Sequence, residues 1–122
     1  MAKKIIGLVE GENRFNLEVC ECNWFNKFRG LMFRRRENAN ILLFDFNKPT
    51  RIKLHSLFVF FPFLVLWLDE KNNILDKKLV CSRQFLIQSK TNFNKIIEIP
   101  MNKQNRKIIE LLVGEKKDLK RK

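Results

Sequence analysis

The chain has no apolar run long enough to cross a bilayer. Its longest, residues 57–68, is broken by Pro62 and falls short of the about 20 residues a spanning helix needs. That run is aromatic and β-branched, which suits a buried strand. Met1-Ala2-Lys3-Lys4 opens onto no hydrophobic segment with a cleavage site, so no secretory leader is expected. With three cysteines and no leader, the expected compartment is the reduced cytosol. Only one histidine is present, and no paired Cys-x-x-Cys knuckle of the kind that marks strong zinc sites. No internal repeat or linker divides the sequence.

What is present fits one domain. A chain of 122 residues with 45% hydrophobic content can bury a core without disulfides or metal. Its formal net charge is +12, from 25 Lys and Arg against 13 Asp and Glu. Such a balance raises affinity for polyanions. The composition is also heavy in Lys, Asn, Ile and Phe and poor in Gly and Ala, as AT-rich coding sequence would make it. Charge is therefore informative where it clusters. The clusters are Arg34, Arg35 and Arg36; Lys77 and Lys78; Lys103, Arg106 and Lys107; and Lys116, Lys117, Lys120, Arg121 and Lys122.

Hydrophobic periodicity gives the order of elements. Residues 4–9 read as a strand and Glu10-Gly11-Glu12-Asn13 as a turn. From Arg14 to Cys22 the pattern alternates, with Phe15, Leu17 and Val19 on one face and Cys20 and Cys22 on the other. Asn23 suits an N-cap, and Trp24, Phe25, Phe28, Leu31 and Met32 fall at helical spacing, with a turn near Gly30. Strands are expected over 41–46, 51–60, 63–68, 74–81, 85–88 and 94–99, with turns at Asn47-Lys48-Pro49-Thr50 and at 69–73. Pro62 must bend the chain or lie at a sheet edge. The 63–68 strand reads as buried on both faces. After Pro100, the stripe Met101, Ile108, Ile109 and Leu112 predicts a second short helix stopped at Gly114. The expected fold is mainly β: an antiparallel β-sandwich or barrel with two short helices. It occupies residues 1–115, followed by a flexible basic tail over 116–122.

With these elements placed, the chain resembles the family known as domain of unknown function 192, most of all its archaeal branch. The resemblance rests on Arg29-Gly30-Leu31-Met32-Phe33-Arg34, Leu43-Phe44-Asp45-Phe46, His55, Phe58, Phe61-Pro62 and Leu66-Trp67-Leu68-Asp69. Glu98-Ile99-Pro100 and Val113-Gly114-Glu115 complete it. It implies a compact, jelly-roll-like β domain and no established activity. Two departures stand out. Phe63-Leu64 replaces the family's usual aliphatic–aspartate pair after the proline, and no glycine follows Pro100 within two residues.

Candidate sites are few. Cys20 and Cys22, roughly 6.5–7 Å apart along a strand, could join Cys81 and His55 around a soft metal. Unligated thiols are the simpler reading, and no metal or cofactor is expected. Arg29, Asp45 and His55 define a candidate ligand pocket, set against structural roles for each: a rim hydrogen bond for His55, and an ion pair with Asp45 or Asp69 for Arg29. No nucleophile–base motif provides a catalytic residue. Most of the 12 Phe fit core positions, so any nucleic-acid binding would be electrostatic and sequence-independent. The leading expectation is a non-enzymatic module that presents Arg34–Arg36 and the tail lysines to RNA, a ribonucleoprotein or an acidic protein. A small-ligand protein or enzyme, and a protein–protein adaptor, are the alternatives.

Overall fold

A computed structural model describes residues 2–21, 40–51, 62–80 and 89–113. These form strands β1 (Ala2–Glu10), β2 (Asn13–Glu21), β3 (Leu42–Thr50), β4 (Phe63–Leu68), β5 (Ile74–Val80) and β6 (Phe93–Pro100), then helix α1 (Arg106–Val113). The strands make a single six-stranded sheet in the order β1-β2-β3-β6-β4-β5, curled into a half-barrel. The fold is mainly β, as the periodicity implies.

The sheet is mixed, which corrects the expectation of an antiparallel one. β2 and β3 run parallel through Cys20↔Leu42 and Glu21↔Leu43, while the other neighbours are antiparallel. A parallel pair needs a long connection to bring the chain back to its starting end, and residues 22–41 are long enough to do so. Of the two expected helices, the second is present as α1; the first, with its Gly30 turn, lies outside the described residues. So do most of the 51–60 strand and the 85–88 strand.

β4 organises the core. All six of its side chains are buried, and alternation sends them to both faces. Leu64, Leu66 and Leu68 join Ile97, Ile99, Leu43, Leu17, Val19, Ile6 and Leu8 on the face that α1 covers with Ile109 and Leu112. Phe63, Val65 and Trp67 join Leu42, Phe44, Phe93, Ile96, Val80 and Cys20 on the opposite face. Cys20 was expected on the polar face of β2; it is buried because that face meets the second cluster where β2 joins β3.

Turn chemistry sets the ends of the strands. Gly11, with φ of 61°, takes the left-handed position of the β1–β2 hairpin. Pro62 lies just before β4, and its carbonyl accepts from the Met101 N–H at 3.0 Å. The expected turn at 47–50 is instead an irregularity inside β3. Its register against β6 shifts between Asp45 and Thr50, and Asn47 has φ of 60°. Asn and Pro mark a bulge as readily as a turn. Before α1, the buried Asn102 accepts from the Asn105 N–H through Oδ1 at 3.0 Å, and Asn105 Nδ2 donates to the Pro100 carbonyl at 3.0 Å. These bonds turn the chain from β6 onto the sheet face.

The two edges of the curl meet at one point. The Val9 N–H donates to the Asn72 carbonyl at 3.0 Å. Beside it Lys77 Nζ, on β5, donates to Glu10 Oε2 at 2.7 Å, to Glu10 Oε1 at 3.0 Å and to the Leu112 carbonyl at 2.6 Å. One ammonium thus ties β5, β1 and the end of α1, where the helix dipole favours a cation. Lys77→Met is expected to destabilise the protein by about 1–2 kcal/mol, because it leaves a half-buried carboxylate and a helix carbonyl without their donor. Lys78→Met, on the same strand but exposed, should stay within about 0.5 kcal/mol. Urea denaturation of both variants checks this; equal effects would refute the seam role of Lys77.

Candidate functional site

Of the three residues proposed to line a pocket, Asp45 is described; Arg29 and His55 lie outside the described residues. Asp45 sits half-buried on β3 at the start of the register shift. Its Oδ1 accepts from the Asn47 N–H at 2.9 Å, an Asx-type turn that stabilises the bulge and the positive φ of Asn47. Part of its carboxylate therefore has a structural task. Arg34, Arg35, Arg36 and the cationic residues of 116–122 also lie outside the described residues, as do Cys22 and Cys81. Cys20 is buried and forms no disulfide among the described residues. Among the described residues no group of three or more His, Cys, Asp or Glu side chains could hold a metal ion.

Asp69, which closes the Leu66-Trp67-Leu68-Asp69 motif, organises the β4–β5 hairpin. Its Oδ1 accepts from the N–H groups of Lys71 (2.8 Å) and Asn73 (2.9 Å), and its Oδ2 from Asn73 Nδ2 (2.8 Å). Asn72 takes φ of 68° at the tip, and Lys95 Nζ holds its side chain through Oδ1 at 2.6 Å. Burial pushes the Asp69 carboxyl pKa up. The side-chain and backbone donors of Asn73, the backbone N–H of Lys71 and the Lys71 charge outweigh that and hold it below the ordinary 3.8. This aspartate shapes the hairpin that carries Asn72 to β1.

Two buried polar groups were not singled out as sites. Glu98 is buried on β6, on the same face as Trp67, between its cross-strand partners Leu42 and Val65. The signal was present as one acidic residue inside the apolar run Ile96-Ile97-Glu98-Ile99. Trp67 is fully buried 6.5 Å from the Phe93 ring, and its indole Nε1 meets no acceptor among the described residues.

The basic groups divide clearly. Lys77 is engaged at the seam. Lys103 and Lys107 are exposed, and Arg106 is 81% exposed with a 3.5 Å contact to Glu110.

Because the folded pKa of Asp69 lies below its unfolded value, its contribution to stability is full above that unfolded value. It is lost as the pH falls through the folded one. Asp69→Ala should cost about 1–3 kcal/mol at neutral pH. The gap from wild type should narrow as the pH drops below 3.8. Urea midpoints across that range measure it, and a gap independent of pH would contradict the assignment.

The fold has solved counterparts. A protein of Sinorhizobium meliloti described as a proposed transcription regulator superposes with a TM-score of 0.71 at 19% identity, over 88% of this chain and 86% of that one. A protein of unknown function from Novosphingobium aromaticivorans superposes with a TM-score of 0.65 at 13% identity, over 87% and 78%. At such identities the likeness concerns the fold alone. No curated protein matches the chain in sequence. The family model of domain of unknown function 192, described as "Uncharacterized ACR", matches residues 6–115. The chain belongs to that family.

Proposed function

We propose that the chain is a non-enzymatic, cytosolic binding module that holds an anionic macromolecule, foremost RNA, through its basic segments. The observation that carries this reading is the uneven distribution of charge. Arg34, Arg35 and Arg36 are contiguous, and residues 116–122 hold five Lys and Arg against one Asp. Composition alone would spread lysine evenly; here the excess gathers at Arg34-Arg35-Arg36 and over 116–122. The second cluster also follows the family match, which ends at residue 115. Acidic proteins and ribonucleoproteins offer the same chemistry and rank below RNA, whose charge is denser and regularly repeated.

A pocket near Arg29, Asp45 and His55 is the second reading. Its support is the half-buried Asp45 at an irregularity of β3, a place where sheets often re-aim side chains.

A labelled RNA oligonucleotide tests the first reading. Binding should weaken by about a hundredfold between about 50 and about 200 mM salt, as expected for several displaced counterions. Removing residues 116–122 and substituting Arg34, Arg35 and Arg36 by Gln should each reduce both the affinity and the salt dependence. No binding at low salt, or binding indifferent to salt, would overturn it.

A further inference from the structure

We infer that the free edge of β1 is a self-association surface, on which a second copy of this chain pairs antiparallel with Ile5 opposite Ile5. The inference is independent of the polyanion reading and uses none of the residues invoked there.

The unpaired groups follow from the hairpin. β1 and β2 pair without interruption from Ala2↔Glu21 to Glu10↔Asn13. In an antiparallel ladder, residues that exchange bonds with the neighbouring strand alternate with residues whose N–H and C=O point away from it. The Val9 N–H points away, since it donates to the Asn72 carbonyl at 3.0 Å. Gly7, Ile5 and Lys3 therefore point away too. All three are exposed, β1 is the outer strand of the sheet, and among the described residues nothing pairs with their main chain. The bridge from Val9 to Asn73 is parallel, and Lys77 reaches back to Glu10. β5 thus continues past the Glu10 end of β1 and leaves residues 3–7 uncovered.

Little protects this edge. Natural edge strands are shortened, bulged, or broken by proline or charge. β1 is nine residues long and has neither bulge nor proline. Of its lysines, Lys4 is paired with Glu21 at 3.1 Å. At the centre of the free stretch stands Ile5, the most exposed large hydrophobic among the described residues at 73%.

The register identifies the occupant. With Ile5 opposite Ile5, Lys3 of each copy faces Gly7 of the other, and each opposed pair exchanges two main-chain bonds. Every outward group of the stretch is then used on both copies. A slip of the second copy towards Val9 meets the bond already made to Asn72. A slip the other way leaves Gly7 outside the paired stretch and brings the two Lys3 ammoniums closer together. The side chains fit the same register. Glu18 and Asn16 on β2 are exposed and lie beside Ile5 and Gly7. Across the two-fold axis the isoleucines cover each other. Lys3 of one copy crosses Gly7, which has no side chain, towards Glu18 of the other. The contact is isologous, the self-complementary type that closes as a dimer. An extended segment of an unrelated protein would have no need of this symmetry.

The surface is small, and each copy carries a net charge of +12. The pairing is therefore weak, with a Kd of about 10–100 μM. It tightens as added salt screens the repulsion between copies, the opposite of the salt dependence of RNA binding.

Sedimentation equilibrium of the full chain, from about 5 to about 500 μM at about 300 mM salt, tests this. Wild type should pass from monomer to dimer over that range. Ile5→Lys, which sets two ammoniums on the axis, should stay monomeric throughout. Leu111→Lys, at the 58% exposed leucine of α1, should keep the Kd within about twofold of wild type. Because Ile5 faces solvent, the Tm of dilute Ile5→Lys should match wild type within about 2 °C. Under mild oxidation Ile5→Cys should cross-link into a covalent dimer, since directly opposed residues bring their Cα atoms about 5.5 Å apart. Lys3→Cys, two residues from the axis, should cross-link no more than wild type. A wild type still monomeric at about 500 μM would overturn the proposal and leave the edge to an extended segment of another protein. A dimer that survives Ile5→Lys, or that Lys3→Cys cross-links as readily as Ile5→Cys, would overturn it as well. None of these results bears on the RNA reading, which its own binding assay decides.

Discussion

A six-residue strand with no charged side chain, buried on both faces, is the constraint on which the structure depends. β4 cannot lie in a sheet with one wet face; each side needs an apolar layer. On one side the layer is α1, whose Ile109 and Leu112 cover Leu64, Leu66 and Leu68. On the other, Phe63, Val65 and Trp67 are buried together with Phe44, Phe93 and Ile96 of the neighbouring strands. Curling the sheet around the helix lets β1 and β2 bring Ile6, Leu8, Leu17 and Val19 to the same apolar layer. At about 25 cal/mol per Å² of apolar surface, burial of this kind is the main favourable contribution to folding.

The curl also explains why a few polar contacts carry weight. A half-barrel has two edges, and an unpaired edge is open to strain and to wrong partners. Here the edges meet where Asp69 shapes a hairpin, the hairpin presents Asn72 to Val9, and Lys77 joins Glu10 to the last turn of α1. The same junction fixes the end of the helix from which the chain runs towards its basic end.

Much of this was legible in the residues. Alternation in β2, the unbroken apolar run of β4, the Gly11 and Asp69 turns and the α1 stripe each express one periodicity or one turn preference, and each is local. The strand directions were not legible. Nothing in Cys20 or Leu42 signals a parallel pairing, because it depends on how a long connection returns. Asn47 and Pro49 signalled a break, but a bulge and a turn use the same residue types. Lys77 reads as one of many surface lysines until the fold brings Glu10, 67 residues away in sequence, to its ammonium. For the candidate site, the basic clusters could be found from sequence. The bond from the Asn47 N–H that gives Asp45 a structural task could not.

The central claim is that the chain holds RNA through the positive charge gathered at Arg34–Arg36 and over residues 116–122. Amide chemical-shift mapping with unlabelled oligouridine RNA tests it most directly. The account predicts shifts at Arg34–Arg36 and over residues 116–122, with the β1–β2 hairpin unchanged. Shifts confined to that hairpin, or spread evenly over every exposed lysine, would contradict it.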